Sequence, residues 1–275
     1  MPTMSSGSIK TVAEFLERVD AMYRELGFGG KTSKREKWEK LWFRGQASSS
    51  PSWGLKPKLY RPEYIEADEA EIRQEFQSRA LQLIQGRIPS TAYDWYFLMQ
   101  HYRVPTRLLD WTDNPLVALF FAVEEPRSAH DPAVWAADPA RWNSALDMTF
   151  DGPLLPEWQE SKQWLPDLEV AFSTGSAFSQ DFPAAIDPPH VDRRLAVQGS
   201  HFFIFGRKKD MVAAASELNK RARNEKEKVF LEKIDIAKDS SDRIYRSLQE
   251  YGISRASVFP DLENLGVDIS RRWHS

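Results

Sequence analysis

Thirteen residues, Gln100 to Thr112, constrain what this chain can fold into more than any other stretch. Nine of them carry side chains that hydrogen-bond, yet they run directly into Leu116–Val123, the longest apolar run in the chain. A polar segment feeding a core must satisfy its donors and acceptors on itself, on another part of the fold or on a ligand. Left unpaired in the interior, each such group costs about 1–3 kcal/mol. The segment is therefore either a buried polar network that holds layers together or the lining of a site.

The rest of the composition is that of a globular protein. At 275 residues, with 41% hydrophobic and 28% charged side chains, the chain can bury a substantial core. A net charge of -3 provides no global field for steering nucleic acid, although a local basic patch is compatible with it. The absence of cysteine excludes disulfides, thiolate metal sites and a cysteine nucleophile. Residues 1–10 lack the pattern of a secretory signal, and the eight-residue apolar run is too short to span a bilayer. The expectation is a cytoplasmic protein with no membrane partner.

Periodicity and capping outline the elements. Val12, Phe15, Leu16, Val19, Met22, Tyr23 and Leu26 share a helical face, with Thr11 and Glu14 as a capping box and Gly27 as the terminator. A charged linker, Lys31–Lys40, precedes a strand over Lys40–Gln46. Helices are predicted from about Tyr64 to Ile84, with Ile65, Ile72, Phe76, Ala80, Leu83 and Ile84 inward, and from Tyr93 to Tyr102, with Trp95, Leu98, Met99 and Tyr102 inward. Val104-Pro105 closes the second of these. Thr106–Thr112 is extended, and Asn114 with Pro115 opens the next helix. Residues 126–190, rich in Pro, Asp, Trp and Ser, show weak periodicity and are expected to be a variable insertion. Strands follow at His201–Phe205 and Val229–Ile236, then a helix over Asp242–Tyr251 capped by Ser240 or Ser241 and closed by Gly252. Ser257–Ile269 should hold a short strand, a turn at Phe259-Pro260 and a last helical turn. Helices and strands alternate irregularly, which defines an α+β class in one domain. Its limits are set at 41–269, preceded by the helix and linker of 1–40 and followed by a tail at 270–275.

Several motifs fail on inspection. Gly27–Thr32 ends like a phosphate-binding loop, but Glu25 stands where the first glycine is required and the segment follows a helix rather than a strand. The five histidines form no i, i+4 pair, no metal site is predicted, and no serine nucleophile elbow is present.

What remains is Trp42-Phe43-Arg44-Gly45-Gln46, followed by Pro57–Arg61, together with the 100–112 segment. An arginine at a strand end beside glycine sets a rigid five-donor fork against approachable backbone, suited to a phosphate, carboxylate or carboxamide. The alternative is an arginine that pairs with an acid such as Asp110 and pins two segments together. Trp-Phe-Arg-Gly-Gln, Glu75-Phe76, Gln-His-Tyr-x-x-Pro-Thr-Arg-Leu-Leu-Asp-Trp-Thr at 100–112 and Ala118–Ala122 together resemble the FRG-domain family, named for its Phe-Arg-Gly. Arg194–Phe202, Gly252-Ile253 and Phe259–Leu262 extend the likeness from about Leu41 to Ile269. Arg103 departs from it, standing where glycine is more usual.

A second resemblance, to ADP-ribosyltransferases, implies a reaction. In that superfamily a first strand ends in an arginine that holds NAD, a second strand runs into a helix, and a third supplies an acidic or amide residue. The likeness implies a central split sheet, mixed or antiparallel, flanked by helices, and NAD as co-substrate. By position it assigns Arg44, Asp110-Trp111-Thr112 and Gln198 to the three strands. It further implies His101 or Asp110 as general base, Trp111 or Tyr102 stacking on nicotinamide, and Gly45, Gln46, Thr106, Arg107 and Thr112 contributing to the NAD site. The acceptor would be a macromolecule, RNA, DNA or protein. By analogy with compact transferases of this kind, the chain would be a bacterial toxin or phage-defence effector with a possible antitoxin. Two other readings stand beside it. One is a non-catalytic nucleotide- or nucleic-acid-binding module served by the basic run Lys208–Lys233, a run that reads equally as a solvated face. The other is a hydrolase of nucleotides or nucleic acid using His101 and Asp110.

Overall fold

The first helix forms where its apolar spacing requires. In the computed structural model, which describes residues 7–28, 40–48, 54–64, 68–84, 88–125, 130–146, 152–157, 181–188 and 197–273, α1 spans Val12–Glu25 and buries Val12, Phe15, Val19 and Met22. The Thr11 hydroxyl accepts the Glu14 N–H at 3.1 Å. The Glu14 carboxylate reaches one residue further back than a capping box requires, to the Lys10 N–H. Gly27 takes φ +73°, with bonds from Gly27 N–H to Arg24 and from Phe28 N–H to Tyr23 closing the helix in a Schellman turn. The linker expected at 31–40 lies outside the described residues except for Lys40.

Six strands form one sheet in the order β4-β5-β2-β1-β3-β6, where β1 is Trp42–Gln46, β2 Leu108–Thr112, β3 Ala133–Ala137, β4 Ala184–Ile186, β5 Ser200–Ile204 and β6 Leu231–Asp235. Every strand pair is antiparallel, so the mixed alternative falls away. Pairing is continuous along β1–β3, β3–β6 and β2–β5, five residues each. Between β1 and β2 it shrinks to Phe43 opposite Thr112. The sheet thus consists of two three-stranded halves hinged at one pair.

Three packed layers cover it. On one face, α1, α4 (Pro115–Val123) and α7 (Ser241–Glu250) lie over the β1-β3-β6 half, and α3 (Ala92–His101) lies over the β4-β5-β2 half. The opposite face is covered by α5 (Pro139–Ser144) and α6 (Met211–Arg221) around Trp42, Trp111, Trp142 and Phe203. Asn114 caps α4 by accepting from Leu116 and Val117, as its sequence predicts. The helix is apolar on all sides and accordingly lies inside. It rides so close to β1 that a Cβ on Gly45 would overlap the Ala118 carbonyl oxygen and stand 2.7 Å from the Ala122 nitrogen.

Several elements differ from expectation. The second helix, α2, is only Glu69–Ala80, capped by Asp68, and buries little beyond Ala80; Leu81 and Leu83 are exposed. Helix α3 buries Ala92, Tyr96, Phe97 and Met99; of the expected face Met99 is buried, Trp95 and Leu98 are half-buried and Tyr102 is exposed, because apolar residues occupy more than one side and tertiary contact selects among them. Residues 126–190 supply β3, α5 and β4, so this region builds the sheet rather than decorating it. The strand expected after Ser257 is helical: α8 spans Arg255–Val258 and α9 Leu262–Arg272, each capped by the preceding Ser254 or Asp261. Helix α1 belongs to the same core as α4, and α9 runs through residue 270, so neither flanking boundary separates a structural unit.

Candidate functional site

The hinge between the two half-sheets opens into a cavity of about 550 Å³, with β1 on one wall and β2 on the other. Arg44, Asp110, Trp111, Thr112 and Gln198 all line it, drawn from β1, β2 and the turn before β5. Residues 66 or more positions apart in sequence therefore share one space because the strands that carry them are neighbours in the order β5-β2-β1. The volume lies within the usual range for small-ligand pockets.

Arg44 does two things at once. Its Nη1 donates to the Asp110 carbonyl at 2.5 Å and sits 3.8 Å from the Asp110 carboxylate, bridging the strands where the ladder has been lost. Its Nε is buried and has no acceptor among the described residues. Only 15% of the side chain is exposed, and burial pushes the guanidinium down to about 10; Asp110 opposes that shift and neighbouring Arg61 reinforces it. The group is still fully charged at neutral pH. Trp111 adds a second orphan: the residue is 2% exposed and its ring packs on Phe203 at 5.5 Å, while its indole N–H finds no partner among the described residues. Both residues contribute to the cavity lining, and a buried N–H without an acceptor carries a cost that calls for a partner.

Asp110 is 57% exposed and is oriented by Gln100, whose Nε2 donates to its Oδ2 at 2.8 Å. Gln100 is in turn fixed by the Thr106 hydroxyl, which donates to its carbonyl oxygen and accepts from the Leu108 N–H at 3.1 Å. Thr112 donates to the Gln198 carbonyl at 2.5 Å, tying β2 to the approach of β5. The Gln198 carboxamide donates to the Val258 carbonyl at 3.0 Å. Gly45 and Gln46 also line the cavity; the Gln46 amide donates to Gly54 and its oxygen accepts from the Trp135 indole.

Four residues expected in the site lie outside the cavity lining. His101 packs edge-on against Tyr102 at 4.9 Å, and Tyr102 is 64% exposed. Thr106 is buried and serves Gln100. Arg107 is consumed by a bidentate ion pair with Glu69, at 2.9 and 2.8 Å from Nε, and by the Phe205 carbonyl. Through the turn after α3, only Gln100, Arg103 and Val104 of residues 100–107 line the opening before β2 begins. Trp111 stays in the lining, but its ring is occupied by core packing.

Conversely, Lys58, Arg61, Arg103, Glu124 and Glu125 reach the cavity. The two glutamates carry a signal in the sequence: acids at a helix C-terminus oppose the helix dipole and so call for a partner. The partners are Arg255, bonded to Glu124, and Arg271, 3.3 Å from Glu125.

These features define an α+β protein with a ligand-sized cleft, lined by charged, polar and apolar residues, at the seam of a divided sheet. Residues 39–131, from β1 through α4, match the model of the FRG domain. The downstream strands that complete the sheet lie beyond the matched stretch. No curated protein and no solved structure matches the chain. Among the described residues no helix is long and apolar enough to cross a membrane.

Proposed function

We propose that the cavity binds NAD and that the protein transfers ADP-ribose from it to a macromolecular acceptor. The observation that carries this reading is the convergence of Arg44 on β1, Asp110–Thr112 on β2 and Gln198 before β5 around one opening at the seam of the sheet. The unpaired N–H groups of Arg44 and Trp111 suit the phosphate and carboxamide oxygens of a dinucleotide. In the transfer, the bond between ribose C1′ and nicotinamide breaks and its electrons leave with nicotinamide. A bond forms from C1′ to a nucleophilic nitrogen or oxygen of the acceptor, and Asp110, held by Gln100, takes the released proton.

A second reading draws on Gln198, whose carboxamide is committed to Val258 where a transferase would present a group to the ribose. It makes the cavity a nucleotide-binding site without chemistry. The hydrolase reading is weakened because His101 lies outside the cavity lining.

Incubation with NAD and cell extract, with free nicotinamide quantified by mass spectrometry, separates the two main readings. The transferase releases nicotinamide, and Arg44→Ala lowers the rate at least about 100-fold, the scale of removing one charge-stabilising donor. A pure binding module retains NAD intact, and a protein that neither binds nor consumes NAD overturns both.

A further inference from the structure

We propose that the mouth of this cavity binds single-stranded nucleic acid, along a strip in which cations alternate with aromatic rings. The strip is continuous through direct contacts. The Lys209 ammonium sits 5.1 Å over the Tyr60 ring, and Tyr60 shares a 3₁₀ turn, Lys58–Tyr60, with Lys58. Lys58 lies 5.4 Å from the Tyr64 ring centroid and donates to the Arg103 carbonyl at 2.6 Å. Arg103 is exposed, and Tyr102 beside it has 64% of its surface open. Lys58, Arg61 and Arg103 line the cavity, so a strand laid along the strip crosses the opening.

Charge accounting favours this strip over the basic run that first suggested a nucleic-acid surface. Within Lys208–Lys233, four of the eight cations are held by acids, Lys208 and Arg221 by Glu217, Lys228 by Glu225 and Lys233 by Asp235, and Lys209 belongs to the strip itself. Among the described residues neither Lys58 nor Arg103 is paired with a carboxylate, and Glu63 is the exposed acid on the intervening turn. Cations alone would equally suit an acidic peptide. The rings among them, Tyr102 exposed and Tyr60 and Tyr64 half-buried, suit bases, whose faces stack on aromatic side chains while the phosphates track the cations. The acceptor role rests on the ADP-ribosyl transfer proposed above: C1′ would bond to a nitrogen or oxygen of the bound strand, nicotinamide leaving and a proton released. Binding itself does not depend on that reading.

Fluorescence anisotropy with labelled single-stranded RNA and DNA of about 20 nucleotides tests it without NAD. The wild type should bind, with log affinity falling against log salt at a slope of about -2 for three phosphate contacts. Tyr102→Ala and Arg103→Glu, both at exposed side chains, should each weaken binding about tenfold, while Lys220→Glu on α6 should not change it. Melting curves confirm that the variants fold. Absence of binding at low salt, equal loss with Lys220→Glu, or competition by an acidic peptide as strong as by RNA overturns the inference. Lost nucleic-acid binding with NAD consumption intact defeats the strip alone; nucleic-acid binding without NAD chemistry upholds the strip and defeats the transferase reading.

Discussion

Arg103 has φ +61° and is the only non-glycine at positive φ among the described residues. Helix α3 ends in the same Schellman turn as α1 and α7, with Arg103 N–H bonded to Gln100 and Val104 N–H to Met99. At the corresponding positions α1 and α7 have Gly27 and Gly252. A side chain in this conformation costs about 1–2 kcal/mol, which accounts for the glycine usual in the motif. Arg103→Gly should therefore raise stability by roughly 0.5–1 kcal/mol in urea melts, after allowing for the looser unfolded chain. An unchanged or lower stability would show that the turn is not strained. Retaining arginine at such a cost is expected where the side chain has work to do at the cavity mouth.

At the scale of elements, the closest constraint is α4 on β1. Gly45→Ala should destabilise by about 1–3 kcal/mol or more, because backbone rather than a flexible side chain must yield; a neutral result in the same melts would contradict the fit. A second constraint joins β2 to β5. His201 stacks on Trp42 at 4.4 Å, with Nδ1 2.9 Å from Asp187 and Nε2 3.9 Å from Asp113, which also binds Lys40 at 2.8 Å. Burial lowers the imidazole's proton affinity, but the two carboxylates outweigh it and leave it above 6.5. Asp113 is held down to about 2 by His201 first and Lys40 next, against burial. The raised histidine contributes stability that is complete below pH 6.5 and lost as pH rises through its folded value. The depressed aspartate contributes above about 3.8 and loses its contribution as pH falls towards 2. Denaturation midpoints should accordingly be higher at about pH 6 than at about pH 8, and His201→Gln should remove the difference. Equal midpoints in the wild type would show that the network does not couple to folding.

How far the elements can be read from sequence follows from their chemistry. Helix starts were legible because Thr11 and Asn114 carry oxygens that bond the free N–H groups. β3, Ala-Val-Trp-Ala-Ala, and β4, Ala-Ala-Ile, were not, since short alanine-rich strands buried on both faces show no alternation. Within the site, Arg44 and Asp110 could be found because charged groups sat where strands meet apolar helices, whereas Gln198 was reached only by position in the resemblance to ADP-ribosyltransferases. The exclusion of His101, Tyr102, Thr106 and Arg107 depended on the turn after α3, which spacing does not encode.

Across the whole molecule, the two half-sheets meet at one residue pair, and the gap beyond that pair is the cavity. Arg44 spans the gap, so a ligand held there as proposed would be linked to the relation of the halves through one guanidinium. The most direct measurement is a crystal structure of the protein with bound ADP-ribose. The account predicts density between β1 and β2, with ligand oxygens within hydrogen-bonding distance of Arg44 Nε and Trp111 Nε1. Ligand bound elsewhere, or an empty seam with both donors meeting only water at saturating ADP-ribose, would contradict it.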